Sequence, residues 1–249
     1  MIGLLLTRTR VLGWAHLLLF PAAGWLVAGQ GQIWRLLLAL LAGAGLLTAA
    51  HAHNDHHDQG RRHARGWYVA PLIVALLLTL LLSGASMAGA ICFAALAGLH
   101  SGPLRLKAVP LLGTLLSALG FPMLCLLGVA SMTPAAWSLL GLAGLWIASA
   151  QLVNEAAHLA QDRVQGLRTT AAMLGPVASS RVTFALLLMA APVARGISPV
   201  AAVAMALYAV AVALLGRGLS PVHLRLAMRY LGVGWAVLVG ADLLSRGGW

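Results

Sequence analysis

The amino-acid sequence predicts an all-α protein that crosses a membrane about nine times. The 249 residues are 61% hydrophobic and only 8% charged, whereas a soluble domain carries roughly 25% charged residues. Apolar stretches recur from one end of the chain to the other, and most approach the length of about 20 residues that a helix needs to span a bilayer. Most basic residues lie between these stretches, where they determine the orientation of a membrane protein.

Glycine, proline and charged residues divide the chain into nine predicted spans. In order, they cover residues 11–29, 33–53, 67–83, 86–100, 108–130, 135–155, 176–195, 197–216 and 224–244. Pro21 and Pro122 fall within spans, where neighbouring helices satisfy the carbonyl groups that proline leaves unbonded. We interpret residues 1–249 as a single transmembrane domain that begins with an uncleaved first helix.

The distribution of basic residues predicts the orientation. With the N-terminus in the cytoplasm and the C-terminus outside, only Arg35, Arg195 and Arg246 face outward. The inside set is Arg8, Arg10, Arg61, Arg62, Arg65, Arg105, Lys107, Arg163, Arg168, Arg181, Arg217, Arg225 and Arg229. This bias predicts an integral, multi-pass protein of a bacterial cytoplasmic membrane. Because the net charge of +11 arises mainly in short loops, we expect membrane lipids and no nucleic acid as partners. No motif specifies an oligomeric state.

The acidic residues are concentrated at the ends of two spans. The five are Asp55, Asp58, Glu155, Asp162 and Asp242. The first two lie at the end of the second span and the next two at the end of the sixth, so four of the five occupy two helix ends that the predicted orientation puts in the cytoplasm. Carboxylates near a membrane are costly unless they are paired or bind a metal. This clustering is therefore the main indication of a functional site.

Both clusters begin with asparagine followed by an acid and continue at helical spacing. Asn54 shares a helix face with Asp58, and Asn154 shares one with His158 and Asp162. Two such faces opposed across a cavity would hold one or two divalent cations through oxygen ligands, and nearby basic residues would bind an anion attached to those cations. Helix capping and ion pairing are the alternative for either cluster alone.

A basic segment joins the fourth and fifth predicted spans. Gly102 and Pro103 predict a turn, and Arg105 and Lys107, the only lysine of the chain, follow it. The segment either binds an anion or simply sets the membrane orientation.

These motifs resemble those of the UbiA superfamily of intramembrane prenyltransferases. The superfamily's first aspartate-rich motif, Asn-x-x-x-Asp-x-x-x-Asp, often opens with Asn-Asp-x-x-Asp and is matched by Asn54, Asp55 and Asp58. Residues 100–107 resemble its Tyr-Ser-x-x-Pro-Leu-Arg-Leu-Lys loop, with His100 at the tyrosine. Residues 154–175 resemble its second motif, which includes Asp162-Arg163, Arg168-Thr169 and Leu174-Gly175. Residues 7–24 are similar to its opening helix but lack the usual Arg-Pro.

The resemblance implies transfer of a prenyl group from a prenyl diphosphate to a lipophilic acceptor, with Mg²⁺ as the cofactor and Mn²⁺ as an alternative. The implied metal ligands are Asn54, Asp58, Asn154, Glu155, His158 and Asp162. The implied catalytic residues are Asp55, Asp58, His158 and Asp162. The residues implied to bind the diphosphate are Arg10, Arg62, Arg105, Lys107, Arg163 and Arg168. Charge develops on the diphosphate as the allylic C–O bond breaks, and fixed cations would stabilise it.

Two positions depart from the superfamily pattern. Arg62 replaces the third aspartate of the first motif, and His158 replaces the first aspartate of the second. Mg²⁺ prefers oxygen ligands, so His158 weakens a magnesium site or favours a softer metal. A related terpene cyclase, a catalytically silent relative and a metal-binding transporter are alternatives. Transporters place ionisable groups near mid-membrane, whereas these groups lie at helix ends, which favours an enzyme.

The histidine-rich residues 51–58 also match two unrelated metal motifs. One is the zinc motif of metallo-β-lactamases, which the membrane composition excludes. The other is a single box of membrane di-iron desaturases, which need several such boxes that this chain does not have.

Overall fold

The computed structural model describes residues 11–28, 32–58, 66–164 and 166–246, and these residues form nine main helical segments and a short 3-10 segment at Leu106–Ala108. The first, α1, comprises Val11–Trp14, a 3-10 turn at Ala15–Leu18 and Leu19–Val27; α5 comprises Leu112–Gly120 and a 3-10 continuation at Phe121–Leu127. The others are α2 (Ile33–Asp58), α3 (Gly66–Thr79), α4 (Gly84–Ser101), α6 (Pro134–Val164), α7 (Thr170–Ala194), α8 (Pro199–Leu215) and α9 (Pro221–Arg246). The all-α prediction is confirmed, and one segment corresponds to each predicted span.

The helices differ in length from the predicted spans. Within the described ranges, α2, α4, α6, α7 and α9 are long and apolar enough to cross a membrane, while the apolar helices α1, α3, α5 and α8 are shorter. The structure thus supports a polytopic membrane protein with five long candidate spans. The crossing by all nine segments and the N-in, C-out orientation stay predictions.

The first residues of both predicted motifs lie on continuous helix. The second predicted span ends at residue 53 but α2 runs on to Asp58, and the sixth ends at residue 155 but α6 runs on to Val164. No glycine or proline interrupts either extension, so the helix continues past the apolar stretch. At the other end of the second motif, α7 begins at Thr170 and kinks at Gly175, whose φ is 77°.

The chain divides into two compact units. Unit one contains α1 to α4 and residues Met123–Thr133, and α2 packs against α1, α3 and α4. A Cβ on Gly24 would overlap the carbonyl oxygen of Cys125, so only glycine allows this close backbone approach. Ser83 caps α4 by accepting from the Ser86 N–H at 3.1 Å, and its hydroxyl donates to the Val129 carbonyl at 2.8 Å.

Unit two contains Leu106–Pro122 and the chain from Pro134 onward. Its central helix, α6, packs against the first half of α5 and against α7 and α9. The Trp146 ring meets Tyr208 of α8 and Trp235 of α9, with ring centroids 5.6 and 5.4 Å apart. Trp146 Nε1 donates to the Tyr208 hydroxyl at 3.1 Å, and a Cβ on Gly232 would overlap the Trp146 ring. These contacts fix the register of α9 on α6. That the whole chain forms one domain stays a prediction.

Candidate functional site

The first motif lies at the C-terminal end of α2 in unit one. Asp55 is buried, with 4% of its surface exposed, and Asn54 is half-buried. Asp58 is the last residue of α2, but its side chain lies outside the described residues, as do Arg10 and Arg62. The roles of these three side chains stay predictions.

Two histidines at the C-terminal end of α2 pack against an aromatic residue of α3. The His53 ring lies 4.6 Å from His57 and 5.4 Å from Tyr68 between centroids. The His56 ring lies 5.2 Å from His57 and 5.8 Å from Tyr68. Across the described part of the chain, no group of three or more His, Cys, Asp or Glu side chains is arranged to hold a metal ion. The contacts with Tyr68 give His53 and His56 a packing role between α2 and α3.

The basic segment contributes one residue to each unit. In unit one, the exposed Arg105 has a positive φ of 45°, and its N–H closes a turn by donating to the Gly102 carbonyl at 2.9 Å. In unit two, Lys107 is half-buried in the 3-10 segment Leu106–Ala108. Its backbone lies against Gly113, where a Cβ would come within 2.7 Å of the Lys107 carbonyl oxygen. Gly113 therefore sets the position of Lys107 on the start of α5.

The second motif forms a half-buried polar face on the last turns of α6. Asn154, His158 and Asp162 follow one another at four-residue intervals along this face. The Asp162 carboxylate interacts electrostatically with Lys107. Unit two holds seven of the predicted site residues and brings four of them together here: Asn154, His158, Asp162 and Lys107. Arg163 and Arg168 are exposed near the end of α6 and after it, and Glu155 is buried.

Arg225, on the first turns of α9, completes this face. Its Nη1 atom lies 2.9 Å from Asn154 Oδ1 and 2.8 Å from His158 Nε2. A guanidinium group only donates hydrogen bonds, so His158 Nε2 is the acceptor and the ring proton is on Nδ1. The sequence predicts Arg225 only as a basic residue on the inner side of the membrane. The feature of the sequence that pointed to a basic partner was His158, because a histidine in place of the superfamily's aspartate can accept a hydrogen bond from a cationic donor.

Glu155, predicted as a metal ligand, lies in a buried hydrogen-bond network. Its Oε1 accepts from the Thr114 hydroxyl at 3.1 Å and from Gln151 Nε2 at 3.2 Å, and its Oε2 accepts from the Ala171 N–H at 3.0 Å. The Thr114 hydroxyl also lies 2.7 Å from the Thr170 hydroxyl. Because Thr114 uses its one hydrogen for Glu155, Thr170 is the donor between the two hydroxyls.

The same network reaches the chain just after Lys107. Thr170 Oγ1 accepts from the Leu111 N–H at 2.9 Å, and Leu111 has a positive φ of 65°, a conformation that non-glycine residues adopt only when their surroundings hold it. Glu155 therefore joins α6, the start of α7 and the Leu111 turn. A metal-binding role for Glu155 stays a prediction, while its contacts favour an anchoring role.

The donor atoms of the two motifs differ in their suitability for Mg²⁺. The first motif offers amide and carboxylate oxygens from Asn54 and the neighbouring aspartates, which Mg²⁺ prefers. At the second motif, the outward-facing atoms of Asn154 and His158 already contact Arg225. Glu155 is directed into its own network. The second motif as it stands fits a guanidinium group and does not fit a second magnesium ion.

Comparison with known proteins shows what this fold resembles. No protein-family model and no curated protein matches the sequence. Among solved structures, a UbiA homolog from Archaeoglobus fulgidus bound to GPP and Mg²⁺ matches with a TM-score of 0.75 and 16% identity, over 96% of this chain and 99% of that one. The apo UbiA homolog from Aeropyrum pernix K1 matches with a TM-score of 0.72 and 19% identity, over 95% and 98%.

Digeranylgeranylglyceryl phosphate synthase also matches, with a TM-score of 0.75 and 13% identity, over 96% of this chain and 97% of the synthase. These structures share the order of helices with this chain over nearly its whole length, at an identity that shows the fold alone. The resemblance predicted from the motifs is confirmed at that level: this chain has the fold of the UbiA homologs, in a divergent sequence.

Proposed function

We propose that this protein is an intramembrane prenyltransferase, which moves a prenyl group from a prenyl diphosphate to a lipophilic acceptor. The observation that carries the proposal is the full-length likeness to the UbiA homolog bound to GPP and Mg²⁺. The polar face of unit two supports it, because that face gathers cationic donors at the end of a long apolar helix.

The proposed reaction requires stabilisation of a departing diphosphate. When the allylic C–O bond ionises, negative charge develops on the diphosphate oxygens, and donors already fixed in place stabilise that charge. Lys107 and Arg225 would donate to these oxygens, and the exposed Arg105, Arg163 and Arg168 would attract the substrate. The apolar helices would shelter the allylic cation from water.

The first motif would hold the metal in this proposal. Asn54 and Asp58 would bind Mg²⁺ through oxygen, with Asp55 beside them. When bound, Mg²⁺ would supply positive charge next to the diphosphate. Asp162 would orient Lys107 through the electrostatic interaction between their side chains. Residues 1–249 would act as one domain in a cytoplasmic membrane, with the N-terminus and the polar face on the cytoplasmic side.

Purified protein in lipid nanodiscs tests this function with radiolabelled GPP, Mg²⁺ and a bacterial lipid extract. We expect diphosphate release together with a prenylated lipid. Lys107→Ala should weaken GPP binding about 10- to 100-fold, because a hydrogen bond to a charged group contributes about 1.5–3 kcal/mol. Arg217→Gln is the matched control, since Arg217 is exposed between α8 and α9 and should bind GPP as the starting protein does.

Other results would identify the alternatives. A hydrocarbon product formed without an acceptor would indicate a terpene cyclase. GPP binding without turnover would indicate a catalytically silent relative. Metal uptake into sealed vesicles without GPP binding would indicate a transporter and would contradict the proposal.

A further inference from the structure

We propose that the Arg225 guanidinium takes the place of a metal ion at the second motif and binds the diphosphate directly. The inference rests on the proposed function and deepens it, because it assigns the cation that this half of the site uses. It also names a binding residue outside both motifs.

The first line of support is the pair of hydrogen bonds at Arg225. One nitrogen, Nη1, reaches Asn154 Oδ1 at 2.9 Å and His158 Nε2 at 2.8 Å. These are the two atoms that would face a cation bound between Asn154 and His158. Both hydrogens of Nη1 are needed for them, so the guanidinium occupies the position of a ligated ion.

The second line of support is charge. A divalent ion is held by anionic oxygen ligands, but position 158 carries a neutral acceptor in this arrangement. The Glu155 carboxylate accepts three hydrogen bonds within the protein. Asp162 is then the remaining carboxylate of the motif, and it already interacts with Lys107. The motif thus suits a monovalent cation.

The third line of support is the set of Arg225 donors that bond to no other described residue. A guanidinium group has five N–H donors, and the two contacts described above use the two on Nη1. The three on Nε and Nη2 form the edge that binds two oxygens of a phosphate group side by side. Arg225 is half-buried, so this interaction is less screened by water than one on the surface. Asn154 and His158 hold the group in place from the other side.

The test measures GPP affinity and metal stoichiometry on protein in nanodiscs. Arg225→Gln should bind GPP about 10- to 100-fold more weakly, and Arg217→Gln should bind it as the starting protein does. Arg225→Lys keeps the charge but cannot donate two parallel hydrogen bonds to a phosphate group, so its GPP affinity should lie between that of Arg225→Gln and that of the starting protein. This variant also serves if the glutamine variant does not fold.

Electron paramagnetic resonance of Mn²⁺, with saturating inorganic pyrophosphate, gives the number of bound ions. Asp162→Asn should leave this number unchanged, because we expect no ion at the second motif. The double variant His158→Asp/Arg225→Gln restores a second carboxylate and removes the guanidinium, so it should bind one additional Mn²⁺.

Two results would overturn the inference and leave the proposed function intact: an unchanged GPP affinity in both Arg225 variants, or the loss of one Mn²⁺ ion in Asp162→Asn. If the starting protein fails to bind GPP at all, the proposed function fails and the inference fails with it.

Discussion

Replacing Glu155 by glutamine separates an anchoring role from a metal-binding role for this residue. The carboxylate accepts from the Ala171 N–H, the Thr114 hydroxyl and Gln151, and Glu155 is 4% exposed. The Ala171 N–H cannot turn away, so the oxygen of the new amide must stay with it. The new NH₂ group then faces Thr114 and Gln151, both of which were donors.

The network can adjust to this change only in part. The Gln151 amide can flip to present its oxygen, and the Thr114 hydroxyl can rotate to accept and turn its hydrogen toward Thr170. The Thr170 hydroxyl, which donated to Thr114, is then left without an acceptor. One buried polar group without a partner costs about 1–3 kcal/mol. Glu155→Ala would leave both the Ala171 and Thr114 donors without acceptors, which costs about 2–6 kcal/mol.

Titration of SDS into mixed micelles measures the free energy of unfolding. It should fall by about 1–3 kcal/mol in Glu155→Gln and by about 2–6 kcal/mol in Glu155→Ala. Gln161→Ala is the control on the same helix, because Gln161 is exposed and its substitution should change stability by less than about 0.5 kcal/mol. Mn²⁺ affinity should be unchanged in Glu155→Gln. Unchanged stability together with lower Mn²⁺ affinity would refute the anchoring role and support the predicted metal ligand.

Two further predictions concern Lys107 and the membrane orientation. Gly113→Ala should lower the free energy of unfolding by about 1–3 kcal/mol, because the new methyl group meets the Lys107 backbone, and it should also weaken pyrophosphate binding. Gly234→Ala is the control, because a Cβ there meets nothing within 4 Å. Equal stability and equal pyrophosphate affinity of the two variants would contradict the role of Gly113. The charge bias also predicts which side of the membrane a membrane-impermeant thiol reagent reaches, in protein with Cys92 and Cys125 replaced. It should label Arg105→Cys and Arg163→Cys from the cytoplasmic side and Arg195→Cys from outside, and all three positions are exposed. Labelling of the first two from opposite sides would contradict the orientation.

Much of the fold was predictable because the bilayer imposes a length and a composition on each helix. The helix boundaries were less predictable where polar residues extend an apolar helix. Residues 54–58 and 156–164 lie beyond the predicted spans, yet they remain helical in α2 and α6. The short helix α3 shows the opposite difference, since apolar residues continue beyond its end at Thr79. Hydropathy identifies the segments that enter the membrane, but it is a weaker guide to the residues at which each helix begins and ends.

The candidate site was predictable only where neighbours along one helix define it. The spacing of Asn154, His158 and Asp162 put them on one face of α6, as the structure shows. Arg225 lies 71 residues from Asn154 and 67 from His158, and Thr114 lies 41 residues from Glu155. Such pairs depend on how helices pack, and one sequence does not contain that information.

The packing that brings Arg225 to the second motif lies in the apolar core of unit two. Gly232 of α9 faces the ring of Trp146 of α6, and a side chain larger than hydrogen would overlap that ring. Arg225 precedes Gly232 by seven residues, and Asn154 follows Trp146 by eight. At about 1.5 Å per residue these intervals span about 10.5 and about 12 Å. The helices α6 and α9 run in opposite directions along this contact, so Arg225 and Asn154 come to lie side by side. The contact of Gly232 with Trp146 therefore sets the position along α6 at which Arg225 meets Asn154 and His158. A change of one helical turn in this register would move the guanidinium by about 5.4 Å and break both hydrogen bonds. The cation at the second motif is therefore fixed by an apolar contact about two turns away, which explains why position 225 carries so little signal when it is considered alone.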